Sequence, residues 1–469
     1  MASNIRPAGV FDTSYNEDMA IFRTRGGKIF WSIAFLVVLL VPLFVYTGLI
    51  KEIWTGTIIR LCILIIAVQG LNILIGYTGQ ISLGHSAFTA VGAYTAAIMG
   101  RELGLSFWLV LPLSALFTGF VGLIFGLPSL RVKGFYLAMA TLAAQFIIPW
   151  VLEHPLEPWT NGNRPLTVPA PVIGPFPTYE TFGTNDTLDS EVSIMIEGGH
   201  PVLSDYMTVV LIGQEDALPD IEIIGADGIT LPNSALTTET DGDTTRILFI
   251  AAKEGRYTVS AIPDEDSQPY KMQVEVQAAL SFASDGAFFY IAFPLTIILL
   301  LAGHNIIRTR TGRAFISVRD NDLAAELLGI NVFNYKLQAF FLSAVYAGIS
   351  GTLLAYETNS LSLDFFSLGR SIEMLAMVVI GGAGFPLGAI FGAAFFNLFN
   401  DVFIPSISPI LRDTLPNLLP FVDVVNIYAA INPILFGLAL MIFLILEPRG
   451  IAYRWEIIKI AWKIRPYSY

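Results

Sequence analysis

Charge is scarce in this 469-residue chain. Asp, Glu, Lys and Arg make up 14% of it, against about 25% in soluble domains. With 54% hydrophobic residues besides, the composition excludes both an ordinary soluble enzyme and a disordered chain. Cysteine is nearly missing: Cys62 alone rules out an internal disulfide framework and a Cys-rich metal site. The histidines, at 85, 154, 200 and 304, are scattered and form no His-Glu-x-x-His pair, so no metal ligands are assigned. A GxxxxGK[ST] phosphate loop, a GxGxxG turn and a GxSxG elbow are also absent. The chain should therefore not hydrolyse ATP by itself, and no catalytic residue is assigned.

What is abundant is apolar length. Runs at 29–50, 53–75, 107–127, 134–152, 286–307, 337–356, 387–404 and 430–446, with two shorter ones at 87–100 and 372–382, read as ten transmembrane or re-entrant helices. The first run is too long for a signal peptide and lacks a small-residue cleavage site, so it reads as an uncleaved span.

The charges sort by compartment. Residues 179–285 hold 20 acidic and 4 basic residues, a net of −16, while the rest of the chain is mildly basic at +4. An acidic balance argues against nucleic-acid binding, which needs a basic face. The positive-inside rule places the flank before residue 29, Arg131 and Lys133, the cluster Arg308, Arg310, Arg313 and Arg319, and the tail with Arg449, Arg454 and Lys459 on one side, the cytoplasm. Both termini are then cytoplasmic and the acidic insert is extracytoplasmic.

The resulting organisation is a cytoplasmic segment (1–28), a first membrane half (29–153), a Pro-rich outer loop (154–178), the acidic insert (179–285), a second membrane half (286–447) with a cytoplasmic loop at 308–336, and a basic tail (448–469). The fold class is all-α and polytopic, interrupted by a β-rich insert. Six runs rich in Val, Ile, Thr and Tyr, from EVSIMIEG to KMQVEVQ, alternate with turn residues and suggest a small β-sandwich.

Two polar, Gly-rich stretches fall at membrane depth: GYTGQISLG at 76–84 and GGAGFPLG at 381–388. Non-helical backbone survives there only inside protein or along a cavity. Gln69, Asn72, Gly79, Gln80, Ser82 and His85 around the first stretch, and Glu373 near the second, are candidates for lining a translocation path. The competing readings are helix–helix packing for the glycines and amides, a hydrogen-bonded packing histidine, and a helix cap for Glu373. Arg60, inside the second span, snorkels or pairs.

The cytoplasmic loop carries DNDLAAELLG. Asn321 or Asp320 can cap a short helix over 322–328 that stops at Gly329. Leu323, Leu327, Leu328 and Ile330 at helical spacing suit docking to a partner, which a solvated connector would not need.

NILIGYTGQISLGHSAFTAVGAYTAA and GRAFISVRDNDLAAELLGINVFNYKLQAFFLSAVYAGISGTLLA, with EMLAMVVIGGAGFPLGAIFGAAF and the ending FLILEPRG, resemble the LivM-type permease subunits of branched-chain amino acid ABC importers. The resemblance covers nearly the whole chain except 179–285. It implies a type II importer-like helical fold in the cell inner membrane, a lipid bilayer as surroundings, a second similar permease subunit, two cytoplasmic ATPase subunits, and an extracytoplasmic binding protein that delivers substrate. It also implies that ATP and Mg are used by the ATPase subunits and that no cofactor is bound by this chain. Gly312, Arg313, Asp320, Leu323, Ala324, Ala325, Leu328 and Gly329 look like the coupling element that seats in the ATPase.

The chain departs from that family in three places: Asp320 where Glu is usual, Thr160-Asn161-Gly162 where Thr-Gly-Gly is frequent, and the insert itself. Urea or short-amide permeases and, more distantly, sugar permeases resemble the same pattern. A membrane-anchored receptor whose β-domain binds ligand is the rival from another class.

Overall fold

In the computed structural model, the described residues run from 25 to 464, with breaks at 48–52, 104, 130–134, 163, 169–170, 282–284, 359, 404, 406–436 and 439 and at the loops between the insert strands. The chain divides into two compact units, Met1–Pro169 with Phe289–Tyr469, and Ala170–Phe288.

The first unit is helical. Its helices are α1 (Arg25–Leu39), α2 (Val41–Tyr46), α3 (Ile53–Asn72), α4 (His85–Arg101), α5 (Phe107–Ser129), α6 (Phe135–Glu153) and the single turn α7 (Glu157–Thr160). After the insert come α8 (Asp285–Arg308, which starts in the second unit), α9 (Arg310–Asp320), α10 (Asp322–Leu327), α11 (Val332–Thr358), α12 (Leu368–Gly381), α13 (Gly388–Leu398) and α14 (Ile451–Ile464). Among the described residues, four helical stretches are long and apolar enough to cross a bilayer: Trp54–Tyr77, Phe107–Leu127, Gly286–Arg308 and Val332–Thr358.

The central element is α11. It packs against α3, α4 and α5, and small residues let the backbones meet. A Cβ on Gly92 of α4 would overlap the Gly348 backbone, and one on Gly351 would overlap the Thr89 carbonyl. Ser and Thr hydroxyls then bridge the helices: Ser114 and Thr352 oxygens lie 2.6 Å apart, and Ser350 Oγ donates to the Ile63 carbonyl at 3.0 Å. This is the packing expected where lipid supplies no hydrophobic drive between helices. Burial follows: 78% of the α3 window and 72% of the α11 window are buried, against 39% for α5.

The second unit holds two antiparallel sheets. One has the order β2 (Val172–Ile173), β10 (Lys271–Ser281), β5 (Leu203–Ile212), β8 (Thr244–Ala251), β7 (Thr237–Asp241), with β3 (Glu180–Gly183) also on β10. The other is β4 (Glu191–Ile196), β9 (Gly255–Ile262), β6 (Asp220–Ile224). Register places Val259 of β9 opposite Val192 and Ile223, and Val259 and Ile223 are both buried.

Each of the six expected strand segments is a strand. The structure adds β3 and β7, the latter with the polar sequence TTETD that carries no apolar alternation. The described part of the 29–50 run, up to residue 47, holds two consecutive helices, with Pro42 opening the second. The Pro-rich outer loop is not wholly extended. It contains α7 and a short strand β1 (Leu166–Thr167), which pairs with β11 (Ser360–Leu361) after α11. Asn161 has φ 65° and Gly162 φ 61°, so the Asn that departs from Thr-Gly-Gly occupies a left-handed position, which Asn tolerates best among side-chain-bearing residues. The basic tail, for which the sequence reading assigned no element, contains α14. Arg131, Lys133 and residues 430–436 and 439 of the 430–446 run lie outside the described residues, although 440–446 is helical.

Replacing Gly351 by Ala should destabilise the bundle by about 1–3 kcal/mol, because its new methyl meets backbone rather than a yielding side chain. A thermal melt of the detergent-solubilised protein reads this, and an unchanged Tm would contradict the packing described.

Candidate functional site

Helix α3 does not end in a cap. It widens into a π turn, Ile73–Tyr77, and the chain then runs without regular structure to His85. Gly79 has φ +68°, a conformation open to glycine. Later in the chain α12 ends at Gly381, and the link to α13 passes through Gly382 (φ 107°) and Gly384 (φ 81°). These are the two Gly-rich stretches singled out in the sequence, and they meet each other. Asn72 Nδ2 donates to the Phe385 carbonyl at 3.1 Å, and its Oδ1 accepts from the Gly384 amide at 2.8 Å. A Cβ on Gly76 would overlap the Gly384 amide, so the two backbones touch only because both residues lack one.

A third element reaches the same point. Arg319, at the end of α9, donates from Nη1 to the Gly76 carbonyl at 2.7 Å and from Nε to Asp320 Oδ1 at 3.1 Å. α9 buries Gly312, Ala314, Phe315 and Val318. A Cβ on Gly312 would overlap the Ile307 carbonyl, which explains the glycine at the α8–α9 corner. Arg313 is exposed and donates to the Arg308 carbonyl at 3.4 Å.

The short helix α10 forms where the sequence placed it. Asn321 is the cap residue: its Oδ1 accepts from the Ala324 amide at 3.1 Å. The helix closes with Gly329 at φ 81° and the Ile330 amide donating back to the Ala325 carbonyl at 3.0 Å, a left-handed glycine stop. Asp322 pairs with Lys336 at the start of α11. Within α10 Ala325 is buried, whereas Leu323, Leu327 and Leu328 are 60%, 89% and 80% exposed and Ala324 is exposed beside them.

Of the remaining path candidates Gln69, Gln80, Ser82 and His85 are buried, Glu373 is half-buried and Gly79 is exposed. His85 Nε2 lies 2.9 Å from the Ala67 carbonyl. Gln80 Nε2 donates to Thr78 Oγ1 at 3.1 Å and to the Lys336 carbonyl at 3.3 Å. Among the described residues, Gln69 Oε1, Gln80 Oε1 and Ser82 Oγ have no hydrogen-bond partner. Glu373 is corrected from cap to ion pair. The cap of α12 is Ser367, whose Oγ accepts from the Arg370 amide, and Glu373 sits further along, 2.8 Å from Arg370 Nη1. Arg60 faces Glu357 at 3.8 Å.

Sequence reasoning passed over Gln145. Its Oε1 accepts from Ser371 Oγ at 2.8 Å and the Ala87 amide at 3.2 Å, while Nε2 donates to the Phe366 carbonyl at 2.7 Å. It thereby ties α6, α4 and α12 together. A lone amide within an apolar run was the signal that could have found it. Among the described residues no group of three or more His, Cys, Asp or Glu stands close enough to hold a metal.

Compared with known proteins, the chain matches the model of a family described as the branched-chain amino acid transport system permease component, over residues 53–214 and 223–446. It is 26% identical over 331 residues to the high-affinity branched-chain amino acid transport system permease protein LivM of Salmonella typhimurium, covering 71% of this chain and 59% of that protein. To LivM of Escherichia coli it is 27% identical over 364 residues, covering 76% and 65%. The chain thus spans less than two thirds of the length of both LivM relatives. A shorter match, 33% identical over 119 residues, is to the autoinducer 2 import system permease protein LsrC of Klebsiella pneumoniae, covering 24% of this chain and 34% of that protein. No solved structure matches. With the family model extending over most of the chain, this protein belongs to the branched-chain amino acid transport system permease family.

Proposed function

We propose that this chain is the membrane permease subunit of an ATP-driven importer that moves leucine, isoleucine, valine or a related amino acid, delivered by an extracytoplasmic binding protein. The observation that carries this reading is the family match over 53–214 and 223–446. In it the chain crosses the inner membrane ten times with both termini in the cytoplasm, pairs with a second permease, and docks two ATPase subunits that bind ATP and Mg.

Three contacts within the helical unit support the threading. Arg319 and Lys336 reach residues 76 and 80, so the 308–336 loop and the first break share one end of the bundle. The β1–β11 pair joins 166–167 to 360–361, two loops assigned to the opposite end. The unpartnered acceptors of Gln69, Gln80 and Ser82 suit a path in which water or solute completes their bonds. The short relationships to permeases named for nucleosides and autoinducer 2 favour a second reading, a different small polar solute on the same machine. Competition of leucine uptake by urea, guanosine and valine separates these readings. Valine alone should compete.

α10 is the proposed seat for the ATPase. A capped helix that holds three leucines in water over a buried alanine gains by covering them, at about 1.5–3 kcal/mol for each leucine fully buried. Leu327→Glu with Leu328→Glu should therefore weaken ATPase co-purification by about 100-fold or more, as two such losses require. Retention of the ATPase on the affinity-purified variant would refute the seat. Gly329→Pro should uncouple hydrolysis from uptake in proteoliposomes, since φ 81° is closed to proline; normal coupling would argue against a role for the α10 stop.

The insert, read as a β-sandwich on the extracytoplasmic face, is proposed to guide or restrict docking of the binding protein. Deleting 180–283 should raise the half-saturating concentration of binding protein in an uptake assay. An unchanged rate and half-saturation would make the insert a passive decoration.

A further inference from the structure

We propose that Arg319 is the positioning residue that transmits movement of the cytoplasmic helix pair α9–α10 to the inner closure of the bundle. This assignment rests on the permease reading. Three elements converge at one point, and among the described residues Arg319 alone joins all three. The two breaks, 76–84 and 382–387, are already held to each other by Asn72, whose amide replaces the backbone partners that a continuous helix would have supplied. Their contact surface is bare backbone, because Gly76 and Gly384 carry no side chain. Nothing in that pair of bonds connects it to the cytoplasmic loop. Arg319 supplies the connection.

The geometry is specific. Nη1 donates to the Gly76 carbonyl at 2.7 Å, and the same nitrogen is 2.9 Å from the point where a Cβ on Gly384 would stand. The aliphatic stem lies along Gly79, with Cγ 3.1 Å from the corresponding Cβ position. One side chain from a helix belonging to neither break therefore hydrogen-bonds the first and fills the space beside Gly384 of the second. A charge-assisted bond of this kind is roughly twice as strong as a neutral one, and the Asp320 carboxylate holds the guanidinium from the other side.

Arg319 also moves with α10. Only Asn321 separates α9 from α10, and that residue caps α10. The buried face of α9 carries Phe315, which meets the ring of Tyr335 on α11 edge-on at 6.2 Å. A pull on α10 thus arrives at the Gly76 carbonyl through one residue. While the Arg319–Gly76 bond holds, the two breaks stay pressed together; when it is drawn away, the Gly76–Gly384 contact loses its brace and the inner end can part.

The test uses the complete complex of both permeases, the ATPase pair and the binding protein, in proteoliposomes with radiolabelled leucine. In a cysteine-free Cys62→Ala background, Ile81→Cys reports the first break, since Ile81 is half exposed beside it. Its reaction with a membrane-impermeant maleimide should change several-fold between nucleotide-free and ATP-trapped states. Arg319→Ala should abolish that change and lower uptake at least 10-fold while ATP hydrolysis continues. Arg319→Lys, which keeps a charged donor, should restore part of both. If Arg319→Ala does not assemble, the two measurements are read on Arg319→Lys against the parent, with an intermediate loss expected. Labelling that still follows nucleotide in the Arg319 variants, with uptake coupled as in the parent, would overturn the assignment alone. A parent complex that neither assembles nor transports would instead overturn the permease reading, and this one with it.

Discussion

The structure depends on what becomes of backbone amides where two helices stop short. In an apolar surrounding each unpaired amide or carbonyl costs several kcal/mol, so α3 and α12 can break only if something else completes their bonds. Asn72 does this with one side chain: its oxygen takes the Gly384 amide and its nitrogen serves the Phe385 carbonyl. Once that pairing is fixed, the two breaks cannot be placed independently. The glycines at 76 and 384 are a consequence, since any Cβ there would force the pair apart and remove the bonds that make the breaks tolerable. Gly384 carries a second demand, φ 81°, at the same residue. An Ala in its place would meet both.

The same economy of side-chain volume governs the central helix. α11 lies against three neighbours, and at Gly92–Gly348 and Gly351–Thr89 the approach is backbone to backbone. Such contacts are short and stiff, and hydroxyls add bonds across them: Ser350 donates to the Ile63 carbonyl of α3 and Thr352 to the Gly92 carbonyl of α4. A helix held this way moves as a body with its neighbours rather than bending between them. Packed interiors of this density pass displacement on in discrete steps rather than absorbing it.

How far the sequence was legible depends on the range of the interaction. The apolar runs and the α10 cap are local: Asn321 with Ala324, and Gly329 at the stop, sit within a turn of what they control, so pattern alone locates them. The strands with β-branched alternation were legible for the same reason. β7 was not, because TTETD has no apolar face and takes its place from pairing with β8. α9 and α14 were missed because their charged residues read as basic flanks, although α9 buries a face through Phe315 and Val318. Arg319 was counted in the sequence only as one of four cytoplasmic cations. Its partner is 243 residues away, and no local pattern announces that. Gln145 is similar: its three partners come from α4, α12 and the turn before α12, far apart in the chain.

These ranges combine at α10. Six residues are far too few to form a helix unaided, since an isolated helix in water needs roughly 12–15 residues to be even marginal. α10 exists because its Asn321 cap and its glycine stop satisfy its own ends, the Asp322–Lys336 pair fastens it to α11, and Ala325 is buried. It is therefore a rigid projection of α9 and α11. α11 is the helix with the most extensive contacts to the bundle, and α9 bears the guanidinium that reaches the paired breaks. A force on the exposed leucines thus has two ways inward, one through the body of α11 and one through a single hydrogen bond at Gly76. The first can shift the bundle as a whole. The second acts where the chain has no helix to resist it.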